Sequence, residues 1–168
     1  MTAETLTNTY MTVGAGHGLA KGLKIWHRKY EIAANVEDGD IFELGYIPKN
    51  SMVCGCVFVC DDIDTGTEAL DMDVGWAANG GGSATYTDSE TGITYTNSAA
   101  TASATGFSNA GVLTGDGIAE LHTGNQRIQF YPDPLFFSEQ TKVQIEANVA
   151  ANAFAAGTAA VYLIYYVL

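Results

Sequence analysis

The stretch that most constrains the fold is "VQIEANV", in which Val143, Ile145, Ala147 and Val149 alternate with Gln144, Glu146 and Asn148. Side chains of an extended strand point to opposite faces in turn, so this pattern describes a strand with one face on a core and one in water. The pattern recurs. In "ALDMDVGW" Leu70, Met72, Val74 and Trp76 share a face opposite Asp71 and Asp73, and in "IFELGYI" Phe42, Leu44 and Tyr46 oppose Glu43 and Gly45. "LKIWHRKYEI" is strand-like, with Trp26, Arg28, Tyr30 and Ile32 on one side. The final "VYLIYYVL" is apolar on both faces, which suits a central strand or one pressed against another subunit.

Turn chemistry separates these runs. Asp38-Gly39 is a hairpin signal, Pro48 turns the chain before a strand over 52–60, and "DIDTG" ends in a reversal at Gly66. Residues 79–111 are small, polar and Gly-rich, and read as a long loop or insertion whose Ala-rich part, near Ala99 to Ala104, makes at most one short helix. About eight short strands with at most one or two short helices define an all-β chain, a β-sandwich or small barrel, with a jelly roll preferred. Periodicity alone leaves an immunoglobulin-like sandwich open. The 168 residues suit one domain, expected over 23–168 after a flexible arm over 1–22.

Three cysteines, Cys54, Cys56 and Cys60, lie within seven positions. On one strand they would share a face with Phe58, and Cys54 and Cys60 would stand about 20 Å apart, too far for a disulfide or for one zinc ion. The other face, Val53, Gly55, Val57 and Val59, is also apolar, so core packing accounts for the run. The acidic stretch with Asp61, Asp62, Asp64, Glu68, Asp71 and Asp73 lacks the register of an EF-hand loop, and Asp71 and Asp73 read as the wet face of a strand. Glycines 14, 16, 18 and 22 do not space as a dinucleotide fingerprint. His17, His27 and His122 are isolated, and no nucleophile elbow, zinc-protease or P-loop motif is present. The expectation is a chain that is not an enzyme, with no catalytic residue, cofactor or metal site.

The formal charge is −12, which argues against binding nucleic acid. It is split unevenly: residues 1–30 carry +3, from Lys21, Lys24, Arg28 and Lys29 against Glu4, and residues 31–168 carry −15. These four cations are the candidate contacts with an acidic partner surface, the alternative being solvated side chains on a first strand. The start "MTAETLTNTYMTVG" has neither the basic residues nor the apolar run of a secretory signal, no apolar stretch is long enough for a membrane helix, and a cytosolic origin is expected.

The run "DGDIFELGYIPKNSMVCGCVFVCDDIDTGTEALDMDVGW", with Gly39-Asp40, Gly45, Pro48, an acidic turn and Val74-Gly75, resembles the head decoration, or cement, proteins of tailed phages. The end of the chain is similar too: "KVQIEANV", the turn "AANAFAAGTA" and "AVYLIYYVL". The resemblance covers residues 23–76 and 127–168. It implies a structural protein of the virion, on the capsid exterior and assembled in the host cytoplasm, that forms a homotrimer and clamps neighbouring subunits of the major capsid protein, with no catalytic residues. The competing reading is a carbohydrate- or receptor-binding β-sandwich module of a head fibre, whose site would lie in 79–111.

Overall fold

The computed structural model describes residues 22–33, 35–65, 70–107, 126–149, 151 and 153–168. Seven of its strands make two antiparallel sheets. These are β1 (Lys24–Ile32), β2 (Ile41–Ile47), β3 (Ser51–Cys60), β4 (Asp71–Trp76), β7 (Gln126–Phe137), β8 (Thr141–Val149) and β9 (Gly157–Val167). The larger sheet runs β1-β9-β3-β7 and the smaller β2-β8-β4. Every step along the chain from β1 to β4, and again from β7 to β9, crosses from one sheet to the other. That double crossing is the jelly-roll version of a β-sandwich. A third pair, β5 (Thr85–Thr87) and β6 (Thr94–Thr96), forms a separate two-stranded ribbon.

The inward faces meet in one core. From the larger sheet come Trp26, Ile32, Cys56, Phe58, Cys60, Val161 and Leu163; from the smaller come Leu44, Ile47, Met72, Val74, Trp76, Val143 and Ile145. The alternation of Leu70, Met72, Val74 and Trp76, and of Val143, Ile145 and Ala147, is therefore the inward face as the sequence implies. β9 lies between β1 and β3; Ala159, Val161, Leu163 and Tyr165 are buried, and Ala160, Tyr162 and Ile164 between them are half-buried.

Three strand readings change. On β2 a bulge falls between Glu43 and Gly45, and Gly45 takes φ +128, a backbone conformation that favours glycine. The extra residue reverses the alternation, so Leu44 and Ile47 are buried while Tyr46 is 50% exposed. On β3 a bulge between Val53 and Gly55 removes Cys54 from the row it was expected to share. Cys56, Phe58 and Cys60 point into the core and Cys54 is only part-buried. On β4 Asp73 is not on a wet face but buried, with Asn148 Nδ2 donating to its Oδ2. The chain at 103–107 lies along this strand: Trp76 and Ser103 exchange backbone hydrogen bonds, and Phe107 N donates to Val74 O at 2.9 Å.

The Asp38-Gly39 turn is present but does not make a hairpin, since the strands it joins, β1 and β2, belong to different sheets. Gly39 N instead donates to Ala147 O at 2.8 Å, tying the turn to β8. The reversal at Gly66 lies outside the described residues.

The segment from 79 onward is held by Asn97, 3% exposed, whose Nδ2 donates to Asn79 Oδ1 and Gly82 O and whose Oδ1 accepts from Ser138 N. A short 3-10 turn, Ser98–Ala100, follows. The ribbon it supports lies by the end of β7, with the Tyr86 ring 6.0 Å from that of Phe136.

Candidate interaction surface

Three of the four candidate cations, Lys24, Arg28 and Lys29, are exposed on β1; Lys21 lies outside the described residues. Strand parity divides the three. Lys24 and Arg28 share the side of Trp26, whereas Lys29 takes the opposite face with Ile25, His27 and Glu31. They flank the same strand edge from both sides instead of forming one patch.

Arg28 and Lys29 are held differently. The Arg28 guanidinium sits over the Trp26 ring, 5.4 Å from its centroid, and its Nη1 donates to His27 O at 2.8 Å. Trp26 is itself fixed by donating from Nε1 to Tyr46 O at 2.9 Å. Lys29 Nζ lies 3.9 Å from Glu31 Oε1 with both side chains largely exposed, a pairing worth little in water. On the outer face His27 stacks on Tyr162 of β9 at 4.2 Å between centroids. Lys142 on β8 contrasts with these: it donates to Glu43 at 2.6 Å, and that bond raises its pKa.

Sheet order makes β1 an edge. The sequence showed its charges but not this position. Backbone pairing settles which groups the edge presents. Thr158 N donates to Asp61 Oδ2 and Thr158 O accepts from Asp61 N, and Asp61 directly follows β3. Leu168 N likewise donates to Asn50 O, just ahead of β3. Even-numbered residues of β9 therefore direct their amides to β3 and odd-numbered ones to β1. Trp26 and Arg28 pair with Leu163 and Val161, so even residues of β1 bond inward across the sheet. The N–H and C=O groups of Ile25, His27, Lys29 and Glu31 consequently point out of the sheet, and Arg28 caps one of them, the carbonyl of His27. No described strand pairs with this side of β1.

The cysteines offer different chemistry. All three are free thiols. Burial pushes Cys56 up to about 12; burial, with the negative charge of Asp61 and Asp62 added, pushes Cys60 up to about 12. Both stay protonated at neutral pH, and the thiolate that would be reactive does not form. Among the described residues no three His, Cys, Asp or Glu side chains come together where they could hold a metal ion.

The fold is a jelly-roll β-sandwich, and its β1 edge presents backbone groups flanked by cations. No protein-family model matches the chain, and no curated protein matches it in sequence. Solved structures do match in fold. A chain of the cyanophage Pam1 capsid asymmetric unit superposes with a TM-score of 0.58 at 18% identity, covering 99% of this chain and 100% of that one. A chain of the capsid of Ralstonia phage GP4 gives a TM-score of 0.53 at 17% identity, covering 86% and 85%.

Proposed function

We propose that this chain is a structural protein of a phage virion that decorates the capsid exterior and stabilises it by bridging neighbouring subunits of the major capsid protein. One observation carries the reading: the match to a capsid chain runs over the whole length of both molecules, so the complete fold, and not one shared motif, is what the two have in common. The described side chains fit a scaffold, with buried thiols held protonated and the aromatics Trp26, Trp76, Phe107 and Phe137 used in the core.

The contact with the capsid is assigned to β1, through Lys24, Arg28 and Lys29, with Lys21 adding a fourth cation by sequence. A cationic strand on a chain of charge −12 gives the encounter a preferred orientation. The same reading has the chain act as a homotrimer. Apolar surface for that contact is present, as Ile41 is 52% and Ile93 48% exposed.

The test mixes purified chain with capsids that lack it and counts copies bound per capsid. Saturable, stoichiometric decoration, with capsids that then withstand heating better, is the expected result. Failure to bind, or binding only to glycans on an array, would overturn the reading in favour of a receptor-binding module.

A further inference from the structure

Among the described residues the two main sheets have four edges, and three of them are interrupted or partly covered. On β7, Pro132 and Pro134 have no amide hydrogen to offer, and Phe136 is bridged to Asn97. On β4, Val74 and Trp76 are bonded to the 103–107 segment. On β2 the run is interrupted by the bulge at Gly45, and Tyr46 O is taken by the Trp26 indole. β1 differs from all of them. Its nine residues pair with β9 in unbroken register, without proline or bulge, and Ile25, His27, Lys29 and Glu31 turn their amides outward. Such an edge is a template for another strand unless charge guards it.

We infer that the outer edge of β1 is a strand-addition site that takes an extended acidic segment of a partner protein. Charge selects the occupant. Two copies pairing β1 to β1 antiparallel over their full length would set Arg28 against Arg28, so charge disfavours a second copy in this register. An incoming acidic strand would find Lys24 and Arg28 beside one of its faces and Lys29 beside the other, while its backbone meets four outward residues. Main-chain bonds then supply affinity and the flanking cations supply the choice of partner. That the segment belongs to a capsid subunit rests on the function proposed above; the edge chemistry stands without it.

The probes are two synthetic peptides about as long as β1, one alternating Glu with Val and one alternating Lys with Val, titrated against the full chain. The acidic peptide is expected to bind at least about tenfold more tightly than the basic one and to weaken as salt rises. The decisive variant is Glu31→Pro. It removes one outward N–H, which makes no bond within the sheet, and it also removes a negative charge. Attraction by charge alone predicts tighter binding of the acidic peptide; strand addition predicts a loss of about tenfold or more. An acidic peptide N-methylated at every residue, keeping its charges but losing its donors on both edges, must also fail to bind the unmodified chain, so the test survives if Glu31→Pro does not fold. Equal binding of the two peptides, unchanged or tighter binding by a folded Glu31→Pro, or full binding of the methylated peptide overturns the inference. Capsids separate the two proposals. If the unmodified chain does not bind them, the functional reading fails and the peptide result stands alone. If unmodified chain and Glu31→Pro bind equally well, decoration stands and strand addition falls.

Discussion

The two edges of the four-stranded sheet are protected in different ways. Over 132–136 β7 is closed by two prolines without donors and by the bridge from Asn97 to Phe136. β1 keeps four residues with outward amides and guards them with Lys24, Arg28 and Lys29. A proline refuses every strand, whereas a cation refuses only some. That asymmetry is the ground on which β1 is proposed as the partner side.

The comparison breaks most severely if the sheet behind both edges is weakened. Phe58, 1% exposed at the centre of β3, sits between the strands that carry the two edges. Phe58→Ala should cost about 3–5 kcal/mol, read from denaturant unfolding. A loss below about 1 kcal/mol would mean that the two sheets do not pack on each other here.

Closure of the β7 side is tested next. Asn97→Ala strips partners from Asn79, Gly82 O and Ser138 N, and should cost roughly 1–3 kcal/mol. Hydrogen exchange should quicken along Asn79–Asn97 and at the end of β7 while β1 is unaffected. Cys60→Ser places a hydroxyl where a 2%-exposed thiol was, and should cost about 1–3 kcal/mol. With the thiols of Cys56 and Cys60 pushed up to about 12, alkylation at pH 8 should leave both unmodified in the folded chain.

On β1 the expectation reverses. Changing Lys24, Arg28 and Lys29 together to Gln should alter stability by no more than about 0.5 kcal/mol, because all three are exposed, while capsid binding is lost. Loss of fold in this variant would show that the cations serve the sandwich and not a partner.

The smallest effect concerns Asp61. Its carboxylate accepts from both the amide and the hydroxyl of Thr158, and this holds its pKa below the ordinary value. A depressed carboxylate stabilises the fold above its unfolded pKa and ceases to do so as pH falls through the folded one. Asp61→Asn should therefore lower the melting temperature slightly at pH 7, with the difference vanishing in strong acid.

Local alternation was enough to place Met72, Val74, Val143 and Ile145 in the core, because a two-residue period needs no knowledge of the rest of the chain. It failed at Tyr46 and Cys54, where one inserted residue inverts the period; Gly45 at φ +128 shows which residue permits the first inversion. Burial of Asp73 was not legible because its own strand, β4, is lined by residues 103–107, some thirty positions on. The cations of the candidate surface could be read directly. That they lie at an edge could not, since β1 becomes one only when β9, from the far end of the chain, pairs with its other side.

Hydrogen exchange on the chain bound to capsids, compared fragment by fragment with the unbound chain, tests most directly whether β1 is the open edge. If it is, exchange slows by about tenfold or more over 22–33, where the outward amides of Ile25, His27, Lys29 and Glu31 lie, and stays as it was over 126–137. Protection that appears on β7 or on the β5–β6 ribbon while 22–33 exchanges as in the unbound chain would contradict it.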